Sequence, residues 1–138
     1  MTEPSDFNGK IIAEFRANGG KVGGPFAGAD ILLLHHTGAR SGTVRVSPLT
    51  YLPAGEGFAI FASKAGAPEN PAWYHNLLAH PDTSVEVGTE TIPVAARVAE
   101  PAERDALWNQ LTEKAPHFAQ YERKAAPRTI PVIVLDRV

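Results

Sequence analysis

The sequence predicts an α+β fold in which about six mainly antiparallel strands curl into a small barrel with helices packed outside. Three observations point there. Short apolar segments are punctuated by glycine and proline. The strands so marked mostly follow one another across tight turns. Helical patterns fall between strands in two places only, without the repeated βαβ units of a doubly wound fold.

The elements follow in order. Phe7, Ile11, Ile12 and Phe15 recur at helical spacing, with Ser5 or Asp6 to cap the start and Gly19-Gly20 to end it, so an amphipathic helix is expected over residues 6–18. Residues 21–30 are glycine-rich and read as a loop. Residues 31–35, 43–52 and 57–63 read as a three-stranded meander, with turns at 38–42 and 53–57. Pro48 argues against a central ladder position within the second of these strands. After a loop at 64–70, Pro71 suits the first helical position, Asn70 its cap, and Pro81 the stop. Residues 84–87 and 91–98 form a hairpin around Gly88. Pro101 opens a helix with Ala106, Leu107 and Leu111 on one side, Trp108 belongs to its core face or rim, and Pro116 interrupts it. Residues 129–135 finish the chain as an apolar strand.

The 138 residues predict one domain spanning 1–138, large enough for a core without staples. A net charge of -2 gives no global field for nucleic acid or anionic lipid, so any anion site must come from local clustering. With no cysteine, disulfides, thiolate catalysis and cysteine-zinc sites are excluded. The N-terminus lacks the basic and apolar regions of a secretion signal, and a cytoplasmic protein is expected. The helix within residues 1–18 either packs on the core or lies at a membrane surface.

The sharpest local feature is HTGARSGTVR, residues 36–45. Glycines let backbone N–H groups approach a ligand closely, and Arg40 and Arg45 supply planar donor forks suited to phosphate and carboxylate. Ser41 and Thr43 add hydroxyls, and Thr43 and Arg45 share a strand face. The pattern is neither a Walker loop nor GxGxxG. An ordinary hairpin turn with solvated arginines accounts for the same residues. The five histidines show no HExxH spacing, and no metal site is expected.

Five ordered segments carry a resemblance: FNGKIIAEFRANGGKVGGPFAGADILLL, TGARSGTVRVSPLTYL, ASKAGAPENPAWYHNLLAHPDTSVEVG, ERDALWNQLTEKAPHFAQYERKA and RTIPVIVL. Over residues 7–136 the chain resembles the F420-dependent nitroreductase family of deazaflavin-dependent oxidoreductases. The resemblance implies a split β-barrel, FMN-binding-like, and coenzyme F420, an 8-hydroxy-5-deazaflavin with a phospholactyl and oligoglutamyl tail. By similarity the tail meets Arg40, Ser41, Gly42, Thr43, Val44 and Arg45. The ring rests near Pro48, near Phe61, Ala62, Ser63 and Lys64, and near Ala72, Trp73, Tyr74 and Asn76. Ala115, Phe118 and Tyr121 lie towards the substrate. Ala39 stands where the family turn carries its first basic residue, His35 and His36 where threonines are common, and Ala65 where glycine is common.

The implied chemistry is hydride transfer to an organic acceptor such as a quinone or nitroaromatic, with Ser63 as a donor near the reacting ring and Tyr121 as a proton donor to the acceptor. Two alternatives keep the fold: an FMN-dependent oxidoreductase, and an F420 carrier with little turnover. A homodimer is a further expectation, since related barrels often dimerise.

Overall fold

The computed structural model describes residues 6–23 and 30–138, with the backbone alone for residues 6–8. The Ser5 cap, the Phe7 side chain and residues 24–29 of the glycine-rich loop therefore lie outside the described residues. The elements are α1 (Asp6–Ala17), β1 (Ile31–Thr37), β2 (Val44–Ala54), β3 (Gly57–Phe61), a 3₁₀ turn (Lys64–Gly66), α2 (Ala72–Ala79), β4 (Asp82–Val87), β5 (Glu90–Val98), α3 (Pro101–Lys114), α4 (His117–Ala125) and β6 (Val132–Arg137). The six strands close into a barrel in the order β1-β2-β3-β6-β5-β4, every pair antiparallel. The expected meander and hairpin are both present, and β6 inserts between β3 and β5.

Pairing moves several boundaries. β1 runs on to Thr37 because His36 and Thr37 face Arg45 and Val44 across the ladder. Thr43 precedes β2 rather than sharing its face, since its carbonyl closes the turn onto the Gly38 N–H. β6 begins at Val132, because Pro131 has no N–H to give a ladder. Pro71 precedes α2 instead of opening it: its ψ of 156° is extended, and Asn70 accepts from Arg128 rather than capping the helix. Pro101 does open α3, which buries Leu107, Trp108 and Leu111 and leaves Ala106 exposed.

Strand alternation sorts the apolar residues into two faces. Leu32, Leu34, Phe58, Ile60, Val85, Val94, Ile133 and Leu135 fill the barrel, and Trp73 and Leu77 of α2 close one end. Ala59, Phe61, Val132 and Val134 face outward, under Leu107, Trp108, Leu111 and Phe118 of α3 and α4. Each large side chain taken fully from water contributes about 1.5–3 kcal/mol.

α1 packs on the opposite side of the barrel, with Phe15 against Ile31 and Leu33. Arg16 pins it electrostatically: Nη2 and Nε lie 2.6 and 3.0 Å from the two oxygens of Glu86, which also meets His35 Nε2 at 2.7 Å. Arg16, then His35, hold the Glu86 carboxyl below its ordinary range against the opposing effect of burial. The described residues give the membrane-surface reading of the first helix no support. Ile11 and Phe15 are spent on the barrel, and Gly9, Lys10, Ala13, Arg16 and Ala17 face solvent, so the described part of α1 offers lipid no apolar strip. No helix among the described residues is long and apolar enough to cross a membrane.

Candidate active site

The barrel is split along β2. Residues 44–50 of β2 pair with β1, and residues 51–54 pair with β3. The strand changes partner between Thr50 and Tyr51, where the Tyr51 N–H donates to the Asp30 carbonyl. Ahead of that point the edge of β2 turned towards β3 is unpaired. Pro48 sits on this edge, opposite Leu33 of β1, a place where a missing N–H costs the sheet little.

A cleft of about 590 Å³ opens beside that edge. Ser47, Pro48, Leu49 and Thr50 form one wall, and Phe61, Ser63, Lys64 and Ala65 the other. Pro71 and Trp73 complete one end, and His117, Phe118 and Tyr121 of α4 cover it. The aromatic groups support one another edge to face: Phe118 meets Tyr121 at 5.3 Å and Trp108 at 6.3 Å between ring centres, and Trp108 meets Phe61 at 6.2 Å. Among the described residues no carboxylate lines the cleft, and the one fixed charge there is Lys64, paired with exposed Glu69 at 3.0 Å. The Ser63 hydroxyl, in a residue only 8% exposed, makes no hydrogen bond within the described residues.

The loop carrying Ser63 and Lys64 adopts backbone that L-residues seldom take. Lys64 and Ala65 have φ of 47° and 53°, a conformation costing roughly 1–2 kcal/mol per residue. Gly66 follows at φ 84°, where a Cβ would come within 2.9 Å of Lys124 Cβ on α4, so only glycine lets loop and helix meet. Arg128 clamps this loop. Its guanidinium donates to the carbonyls of Ala62 (3.1 Å), Ser63 (3.0 Å) and Ala67 (2.8 Å), and to Asn70 Oδ1 (2.5 Å). Sequence reasoning missed Arg128. Its only signal was a lone basic residue before an apolar strand.

The Gly38–Gly42 turn is tied to α2 from behind. The Ala39 N–H donates to Asn76 Oδ1 at 3.0 Å, Asn76 Nδ2 meets His36 Nδ1 at 2.9 Å, and His36 Nε2 meets Ser47 Oγ at 2.9 Å. His36 is 4% exposed. Burial first, then the charge of Arg45, lowers its pKa from the ordinary 6.5 to about 4, with His35 adding to the effect. Within the turn, the N–H groups of Gly38 and Gly42 bond to backbone carbonyls, and that of Thr43 bonds to Ser41 Oγ. The expected cradle of N–H groups thus reduces to those of Arg40 and Ser41, beside the exposed side chains of Arg40 and Arg45.

Of the residues singled out in sequence, Pro48, Phe61, Ser63, Lys64, Trp73, Phe118 and Tyr121 come together at the cleft. Arg45 lies two residues beyond Ser47 on the same face of β2, so Arg40, Ser41, Gly42, Thr43, Val44 and Arg45 extend past its end. The remaining five lie elsewhere. Ala62 faces the barrel core, Tyr74 packs against that core and His75, Asn76 is engaged behind the turn, and Ala115 packs under α3 and α4. Ala72 is exposed at the start of α2 and lies off the cleft wall. Ser47, Leu49, Thr50, Pro71 and His117 were not foreseen. The β2 members become visible only once the unpaired edge is known, and His117 only once α4 is placed over the cleft.

A split barrel whose aromatic, carboxylate-free cleft runs out to a pair of arginines defines a coenzyme-binding protein of the oxidoreductase type. Residues 10–137 match the family model described as F420H(2)-dependent quinone reductase. An F420H(2)-dependent quinone reductase of Mycobacterium tuberculosis H37Rv is 40% identical over 129 residues, covering 91% of this chain and 86% of the relative. A solved F420-H2 dependent reductase superposes with a TM-score of 0.70 at 38% identity, over 78% of this chain and 94% of that one. A second solved structure, described as a domain-swapped dimer, gives 0.72 at 34% identity, over 97% and 100%. The chain belongs to the F420H2-dependent quinone reductase family and is an F420-dependent oxidoreductase. Nothing in this assignment favours FMN.

Two outcomes are expected. Arg128→Leu leaves partly buried carbonyls without a donor and lowers stability by about 1–3 kcal/mol in urea unfolding, with weaker binding of coenzyme to the loosened loop. Acidification acts through His36. Its folded pKa is depressed, so its contribution is complete above 6.5 and is lost as the pH falls through about 4. Between these values the loss is at most about 1.4 kcal/mol per pH unit for this one group. The urea midpoint of the parent should fall more between pH 7 and 5 than that of His36→Gln; equal slopes would contradict the assignment.

Proposed function

We propose that this chain binds reduced coenzyme F420 with its ring in the β2 cleft and its tail along the Arg40–Arg45 turn, and that it reduces a quinone placed under α4. The observation that carries the reading is the continuity of a carboxylate-free aromatic cleft with two exposed arginines. The donor set fits the group. A planar ring system suits walls made by Pro48, Phe61 and Trp73, and a phosphate with glutamyl carboxylates suits guanidinium forks. The coenzyme supplies a two-electron hydride from the carbon that replaces N5 of a flavin.

The protein's tasks are to position and to exclude water. Arg40 and Arg45 hold the anionic tail, with Ser41, Gly42 and Thr43 shaping the turn and Val44 carrying it into β2. Ser63, largely buried and without a hydrogen-bond partner among the described residues, donates to an oxygen at the reacting centre. Lys64 balances negative charge there. Phe118 covers the acceptor, and Tyr121 gives a proton to its reduced oxygen. Ala115, Ala62 and Tyr74 serve through packing rather than contact, and exposed Ala72 is given no contact. A cleft without carboxylates is consistent with a reaction in which hydride and proton both go to the acceptor, since no general-base dyad is needed. Quinones and nitroaromatics are both electron-poor acceptors of this kind. Self-association belongs to the same reading, supported by the domain-swapped relative.

Fluorescence titration with F420 and FMN, followed by oxidation of reduced F420 with menadione, tests the reading. F420 binding with turnover is expected, and Tyr121→Phe should slow turnover while leaving coenzyme affinity intact. Tight FMN binding without F420 binding would sink it, and F420 binding without turnover on any quinone or nitroaromatic would favour a carrier. Arg45→Ala should weaken F420 binding tenfold to a hundredfold, since a charge-assisted hydrogen bond contributes about 1.5–3 kcal/mol. Unchanged affinity would remove the tail from this turn.

A further inference from the structure

The hydrogen-bond chain behind the cleft has a fixed direction. It starts at the Ala39 N–H, which can only donate, and the atom 3.0 Å away must therefore be the amide oxygen of Asn76. That choice turns Asn76 Nδ2, also only a donor, towards His36 Nδ1 at 2.9 Å. His36 Nδ1 must accept, so it carries no proton. In a neutral imidazole the single ring proton then lies on Nε2, which is 2.9 Å from Ser47 Oγ and donates to it. Ser47 has now accepted from the protein. Its own hydroxyl proton has no protein acceptor among the described residues, and Ser47 lines the cleft.

We propose that His36 is a positioning residue that, by donating to Ser47, turns the serine hydroxyl proton away from itself and frees it for the cleft, so that a ligand lying along β2 is favoured when it presents an acceptor atom, a carbonyl oxygen or an unprotonated ring nitrogen, at Ser47. A hydroxyl left to itself both donates and accepts, and so discriminates poorly. Held by His36, it has one lone pair already taken and a proton with no protein acceptor among the described residues, so an acceptor on the ligand edge is preferred there over an N–H. The same chain begins in the anion-binding turn. Ala39 and Ser47 are therefore linked through the side chains of Asn76 and His36, and a displacement of the turn is felt at the cleft wall. Protonation of His36 would break the direction outright, by setting an Nδ1–H against the Asn76 amide; burial of the ring opposes this.

This inference rests on the coenzyme reading only for the identity of the ligand, and the test separates the two. In full-length protein labelled with ¹⁵N-histidine, two-bond ¹H–¹⁵N correlation at pH 6 to 8 should show one histidine held as the Nε2–H tautomer, assigned by its absence from His36→Asn. An Nδ1–H tautomer, or an imidazolium at pH 6, would overturn the proposal without any coenzyme present. In F420 titration, Ser47→Ala should weaken binding about fivefold, the worth of one neutral hydrogen bond. Ser47→Thr, which keeps the hydroxyl, should recover most of it. Unchanged affinity in Ser47→Ala, or no recovery in a folded Ser47→Thr, would also overturn the proposal. A parent protein that does not bind F420 would fail the coenzyme reading and leave the tautomer to decide the positioning role.

Discussion

Between Thr50 and Tyr51, β2 gives up its ladder with β1 and takes up one with β3. Everything functional in the molecule hangs on that exchange. Were β2 paired with β3 along its whole length, the cleft would be filled by hydrogen bonds and Ser47 would face a neighbouring strand. The exchange leaves residues 44–50 without a β3 partner while β1 holds them on the other side, and the last four of them line the cleft. A wall of this kind is stiffer than a loop, because its backbone is already committed to a sheet.

The opposite wall achieves rigidity differently. The loop from Ser63 to Asn70 has little regular structure, and two of its non-glycine residues carry positive φ. Its shape comes from one guanidinium placed behind it, which gathers carbonyls from three residues and the Asn70 side chain. Strained backbone persists only where its surroundings over-determine it, and Arg128 is that surrounding. The two walls thus hold Ser47 and Ser63 by unrelated means, one through a sheet and a buried imidazole, the other through a clamp.

Much of the fold was legible in the sequence because hairpins are local. Glycine and proline mark their turns, and alternation marks the face that turns inward, as at Leu32 and Leu34 or at Phe58 and Ile60. Of the candidate site, Ser63, Trp73 and Tyr121 were reached through the family resemblance, and the fold brings all three to the cleft. The site was illegible where the function of a residue comes from what is absent beside it. Nothing local to Ser47 says that β3 has turned away. Asn76 showed the converse: an amide on a short helix near a proposed cofactor invited a role against the ring, yet its position over the Ala39 N–H commits it to the protein. Pro71 was misplaced by one residue because its fixed φ suits both the position before a helix and the first position within it.

The open edge of β2 has a consequence beyond catalysis. An unpaired strand is where sheets recruit other chains, and proteins guard such edges with proline, charge or a cover. Pro48 guards one position of this edge; a ligand lying in the cleft would cover the rest. A coenzyme bound there, as proposed, would be a structural partner as well as a reagent, since whatever binds only the folded chain also draws it away from its unfolded and self-associating forms. On the proposed reading, a barrel left ajar for chemistry would rely on its occupant to keep other strands out.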